Sequence, residues 1–226
     1  MCYILNIETA TTVCSVSLSK NGGLVFYKEL NNGFTHAENL HVFIEAVLKE
    51  SRITPKQLCA IAVSKGPGSY TGLRIGVSAA KGLAYALQLP LISIDTLQLM
   101  ALQAKTLQKK NDFYCPMLDA RRMEVYTAVY DNELIQQLPI EALIVDASSI
   151  QKFTTFNNIL FFGDGMPKCK ETLQVLKNAT FIENITPSAK DMCKLAYDKF
   201  ITKQVEDVAY FEPFYLKDFL ILKKKM

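Results

Sequence analysis

The sequence predicts an α/β protein built from two related lobes, with boundaries at 1–105 and 106–226 and the C-terminal segment free to return to the first lobe. Two observations lead to this. The first half reads as three strands followed by alternating helix and strand, and the second half repeats that opening with less helix. The most polar connection in the middle of the chain, around residues 104–112, falls between the repeats. Half of the 226 residues are hydrophobic, so lobes of roughly 100 to 120 residues can each bury a core without staples.

YILNIE (3–8) is an apolar run ending on an acid, and VCSVSLS (13–19) alternates between two faces as a strand does. Asn21-Gly22 marks a hairpin turn into LVFYKEL (24–30), giving a three-stranded meander. Thr35 and Glu38 form the pattern of a capping box ahead of Ala37, Leu40, Ile44, Val47 and Leu48, predicting a helix to about Ser51. IAVS (61–64) predicts a buried strand, GPGSYTG (66–72) breaks it, and a helix follows from about Thr71 to Leu87 before Pro90 and the strand LISI (91–94). The order βββαβαβ begins again at PMLDA (116–120), resumes as a strand in RRMEVYTAVY (121–130) and turns at Asp131-Asn132. Glu8 and Asp119 are counterparts in this repeat, and ILFFGDG (159–165) answers IAVSKGPG (61–68). Residues 188–202 predict an amphipathic helix, and DFLILKKKM (218–226) a solvated terminus.

The 25 basic and 22 acidic residues leave a net charge of +3, too small to hold nucleic acid by phosphate neutralisation alone. Six cysteines without a CxxC pair, and only two histidines, argue against a structural zinc site. The cysteines read instead as small core hydrophobes. His36 and His41 lie about 140° apart on a helix and are expected at a surface or interface, with packing at the helix start the alternative for His36. No apolar stretch approaches the roughly 20 residues of a membrane span, so a cytoplasmic location with reduced thiols and no membrane partner is expected.

GPGSYTG has two readings. It either cradles phosphate at a helix N-terminus or makes a tight strand-to-helix turn; without the Lys-Ser/Thr ending of a P-loop, the turn is favoured. On the helix after it, Leu73, Gly76, Val77, Ala80, Ala84 and Leu87 form one apolar face, and Ile75, Ala79, Gly82 and Ala86 a second. With Phe43 and Ala46 on the preceding helix, this second stripe is a candidate partner interface; the alternative is that the two helices pack on each other. Arg121-Arg122 either contacts a phosphate or partner carboxylate, or pairs locally with an acid such as Glu124. No catalytic, cofactor-binding or metal-binding residue is assigned.

Several segments together resemble the TsaB family, also called YeaZ, over essentially the whole chain. They are LNIETATTVCSVSLS (5–19), His36-Ala37-Glu38-Asn39-Leu40, KGPGSYTGLRIGVSAAKGLAYAL (65–87), DARRMEVY (119–126), GDG (163–165) and EPFYLK (212–217). The resemblance implies an actin-like, sugar-kinase-like ATPase fold of two duplicated, ribonuclease H-like lobes. It implies a non-catalytic role in the bacterial synthesis of N6-threonylcarbamoyladenosine at position 37 of tRNA, in which the chain binds and supports the TsaD transferase alongside the ATPase TsaE. It implies no cofactor of the chain's own beyond a nucleotide shared at a complex interface, and tRNA met through the complex; the helix that is apolar on two sides predicts a homodimer in isolation through the first lobe. TsaD carries an HxxxH metal pair just after the strand corresponding to LISI; Thr96 and Met100 stand there in this chain. The family usually has aspartate at the place of Glu8, which is read as structural, bonding nearby turn amides. The alternative is an ATP-dependent transferase or phosphotransferase of the same fold, with Glu8 and Asp119 around a magnesium nucleotide.

Overall fold

The computed structural model describes residues 1–33 and 35–217; the run 218–226, expected as a solvated terminus, lies outside the described residues. The first sheet contains β1 (Tyr3–Glu8), β2 (Val13–Lys20), β3 (Gly23–Asn31), β4 (Leu58–Gly66) and β5 (Leu91–Asp95) in the order β3-β2-β1-β4-β5. The second contains β6 (Phe113–Asp119), β7 (Glu124–Asp131), β8 (Gln136–Ile144), β9 (Ile159–Phe162) and β10 (Ala179–Ile182) in the order β10-β9-β6-β7-β8. β1 pairs antiparallel with β2 and parallel with β4; β6 pairs antiparallel with β7 and parallel with β9. The two sheets are therefore topological copies, and Glu8 and Asp119 end equivalent strands.

Helices cover both faces of the first sheet, which is why β1 and β4 are buried almost throughout. On one face α1 (His36–Glu50) and α2 (Tyr70–Leu87) set Leu40, Ile44, Val47, Val77, Ala80 and Ala84 against Leu5, Ile7, Val16 and Val63. On the other, Leu99 of α3 (Thr96–Leu107) and Ala196 of α5 (Cys193–Ile201) meet Ile4, Ala62 and Ile94. α3 also packs Leu97, Met100, Ala101 and Ala104 against Tyr114, Leu118, Leu160 and Phe162 of the second sheet. The far face of that sheet is covered by α4 (Met166–Leu173) through Met166, Cys169 and Leu173.

After α5 the chain runs back over the first sheet. The Glu206 N–H donates to Leu91 O at 2.8 Å, and Lys81 Nζ donates to the carbonyls of Ala209 and Phe211. The Phe214 N–H donates to Lys65 O at 2.7 Å.

Several local expectations need correction. Thr35 makes no side-chain cap; its carbonyl accepts from the backbone and side-chain amides of Asn39 instead. α3 starts without a break after β5 because Asp95 caps it, accepting from the N–H groups of Leu97 and Gln98. α5 is shorter than 188–202, being preceded by a 3-10 turn over Ala189–Met192. His36 is only 2% exposed, so it is not a surface or open interface residue; it packs at the helix start, the alternative the sequence offered. The cysteines are all free, and every one except Cys59 is buried. No helix among the described residues is long and apolar enough to cross a membrane.

Candidate functional site

The glycines of GPGSYTGLRIG serve the chain's own backbone. Gly68, just before the cap of α2, and Gly72 and Gly76 on its first turns recur every four residues, and the turn between β1 and β2 lies against them. A Cβ on Gly68 would fall under 3.0 Å from Ala10 O, on Gly72 from Thr9 O, and on Gly76 from Thr9 Oγ1. The Ser69 N–H donates to Ala10 O at 2.6 Å, and Ser69 Oγ caps α2 by accepting from Gly72 N. The close approach that a phosphate would need is thus taken up by Thr9 and Ala10. The second lobe repeats the device: Gly163 and Gly165 leave room for Met117 O and for the backbone where Leu118 joins Asp119. The residues present do not fit a nucleotide's phosphates at either loop.

Glu8 is fully buried. One carboxylate oxygen accepts from the Ala10 N–H at 2.6 Å and the other from the Ser64 hydroxyl, which is the turn-amide bonding expected of a structural residue. Burial pushes the carboxyl up to about 7, against the downward pull of those hydrogen bonds. Since the folded value lies above the ordinary 4.5, folding takes up a proton between the two. This stabilisation is full below the ordinary value and is lost as pH rises towards about 7.

Glu8→Gln keeps an acceptor for Ala10 and a partner for Ser64. It is expected to make the decline of stability with pH shallower in that window, where ionisation of Glu8 by itself costs the wild type about 1.4 kcal/mol for each rise of one in pH. Urea midpoints at about pH 5 and about pH 8 measure this; parallel declines in wild type and variant would refute it.

Thr96 and Met100 are both fully buried. Thr96 Oγ1 lies within hydrogen-bond reach of Ser64 Oγ, and Met100 packs in the core between α3 and the second sheet. A hydroxyl and a thioether in these places are not a metal pair. Asp119 is half exposed: Lys168 Nζ donates to it at 2.5 Å and the Arg121 N–H at 2.8 Å. Burial tends to raise its pKa, but these two donors outweigh it and hold the carboxyl below the ordinary range. Arg121 and Arg122 are exposed, and the local partner expected for them, Glu124, binds Lys217 instead. Lys168 lies 49 residues from Asp119 and carried no signal in the sequence.

The six stripe residues lie on α1 and α2 and divide by exposure. Phe43, Ile75 and Ala79 are half-buried against the first core, and Ala46 is half-buried beside them. Gly82 and Ala86 are exposed, and a Cβ on Gly82 would meet nothing within 4 Å among the described residues. Helix-on-helix packing therefore accounts for the part near Phe43 and leaves the C-terminal half of the α2 stripe open. Two residues outside the stripe extend the open surface: Val42 at 58% and Tyr85 at 82% exposure. Val42 adjoins Phe43 in sequence, and Tyr85 shares the strip of α2 that carries Arg74, Ser78 and Lys81. Ala86 also lines a shallow hollow of about 520 Å³ shared with Leu87, Leu89 and Val208.

A family model described as TsaD, tRNA N6-adenosine threonylcarbamoyltransferase, matches residues 32–223. The Escherichia coli K12 protein named tRNA threonylcarbamoyladenosine biosynthesis protein TsaB is 31% identical over 231 residues, covering 98% of this chain and 97% of that protein. Among solved structures, YeaZ from Pseudomonas aeruginosa superimposes with a TM-score of 0.81 at 26% identity, over 96% of this chain and 100% of that one. Component A of the Acidaminococcus fermentans (R)-2-hydroxyglutaryl-CoA dehydratase shares the fold alone, with a TM-score of 0.51 at 9% identity over 88% and 99% of the two chains. With two duplicated lobes, likeness to TsaB and YeaZ along nearly its whole length, and glycine loops closed on its own backbone, the chain belongs to the TsaB (YeaZ) family of tRNA threonylcarbamoyladenosine biosynthesis proteins and has its actin-like fold.

Proposed function

We propose that this chain is a non-catalytic subunit of the machinery that makes N6-threonylcarbamoyladenosine at position 37 of tRNA, and that it binds and supports a TsaD-type transferase through α1 and α2. The observation that carries the reading is the open, small-residue half of the α2 stripe, where Gly82 and Ala86 let another backbone come close beside exposed Tyr85. A non-catalytic role is supported by the interior places of Thr96 and Met100 and by Glu8, both of whose oxygens are engaged within the chain. In this reading a TsaE-type ATPase completes the complex, and tRNA is met through it. Any nucleotide sits at a complex interface, and the isolated chain forms a homodimer through the same face. The match to a transferase family model suits the alternative of an independent transferase; against it stand Glu8, sealed in the interior, and Asp119, held by Lys168.

Reconstitution tests the proposal. A TsaD-type transferase, a TsaE-type ATPase, tRNA and the threonylcarbamoyl-adenylate donor are expected to yield modified tRNA only when this chain is added. The chain alone is expected to turn over neither ATP nor the donor. Full modification without it, or turnover by it alone, would reject the reading.

A further inference from the structure

The turn between β1 and β2 grips the N-terminal ends of both docking helices. Thr9 reaches α2: its hydroxyl donates to Gly72 O at 2.8 Å and sits where a side chain on Gly76 would be. Ala10 O accepts from the N–H of Ser69, the residue that caps α2. Thr11 O lies 2.7 Å from Nε2 of His36, the first residue of α1. The base of the turn is tied to the sheet by Glu8, through Ala10 N and Ser64 Oγ. Apolar contact between a helix and a sheet is non-directional and tolerates small sliding, whereas a short hydrogen bond fixes distance and angle.

We propose that Thr9 is a positioning residue for docking: it sets the angle between α1 and α2, and with it the surface that a TsaD-type partner meets. This rests on the functional reading above. Gly76→Ala would drive a methyl group into Thr9 Oγ1, tilting α2. Thr9→Ala removes the obstructing hydroxyl and leaves its own Cβ 3.3 Å from the new methyl, so it should relieve the clash in the double variant.

Spin labels at Glu45→Cys and Ser78→Cys, both exposed, in a chain whose accessible Cys59 is replaced by Ser, report the α1–α2 distance by pulsed EPR, and titration of unlabelled chains with the transferase gives affinity. Gly76→Ala is expected to shift the distance and weaken binding about tenfold, and the double variant to recover both to within about threefold of Thr9→Ala. A merely structural role would lower the melting temperature without changing the affinity of the folded chain. The inference is overturned by an unchanged distance, by wild-type affinity in folded Gly76→Ala, or by a double variant no better than Gly76→Ala. If Gly76→Ala does not fold, Thr9→Val decides, since it keeps the shape and loses the bond to Gly72. A shifted distance with weaker binding supports the inference, and wild-type behaviour overturns it. If the wild-type chain does not bind the transferase at all, the functional reading fails by itself, and the distance arm still decides whether Thr9 sets the angle.

Discussion

Gly82→Arg is expected to abolish capture of a TsaD-type transferase while the chain stays folded, with affinity falling at least about a hundredfold, or roughly 3 kcal/mol. The position is chosen because it separates the two effects. Among the described residues nothing lies within 4 Å of a Cβ at residue 82, so the arginine starts out clear of their packing. Only a docked partner would bury its charge, and a buried unpaired guanidinium is costly. Ala79→Arg should show the same loss but less cleanly, because Ala79 is already half-buried against the core. Lys170→Glu, on α4 of the other lobe and 3.6 Å from Glu183, serves as control and should leave affinity unchanged. A folded Gly82→Arg chain that binds as the wild type does would move the interface elsewhere.

Gly72→Ala is expected to destabilise the protein by several kcal/mol, about 3 or more, while Gly82→Ala on the same helix should stabilise it by up to about 1 kcal/mol. The same methyl group is added in both, so helix propensity alone predicts a gain in each. At residue 72 the methyl would meet the Thr9 carbonyl oxygen under 3.0 Å and the His36 ring at 3.4 Å. A backbone oxygen between a strand and a helix cannot swing aside as a side chain can. At residue 82 the methyl meets open space. Urea denaturation of both variants gives the comparison, and shifts of equal sign would show that the turn yields.

The parts that were legible in the sequence share a physical cause. β1 to β3 were readable because alternation and an Asn-Gly turn are local signals, and the core face of α2 because Leu73, Gly76, Val77, Ala80 and Ala84 recur at helical spacing. α3 went unread because it is packed from two directions: Leu99 faces one core and Leu97, Met100 and Ala101 another, so no single apolar stripe exists. β8 carries Pro139 and is buried only at Leu143, and α4 is eight residues opening on Met166-Pro167, too short for periodicity to register. For the site, the favoured turn reading of GPGSYTG matched the geometry, but the occupant of its glycines did not show. TATT (9–12) looks like a polar linker until it is placed beside glycines some sixty residues away. The full burial of Glu8 was hidden for the same reason.

The shared seating of α3 bears on how the molecule moves. A clamshell of two lobes needs a hinge with little packed across it, whereas here one helix has Leu99 in one core and Leu97, Met100 and Ala104 in the other. Opening would pull these side chains from one bed or the other, at about 1.5 to 3 kcal/mol for each large one exposed. The two sheets therefore tumble as one body, and residual dipolar couplings from both should fit a single alignment tensor. On the function proposed above, a partner gripping α1 and α2 would aim the far sheet as well, as one jaw of a caliper of fixed gape carries the other.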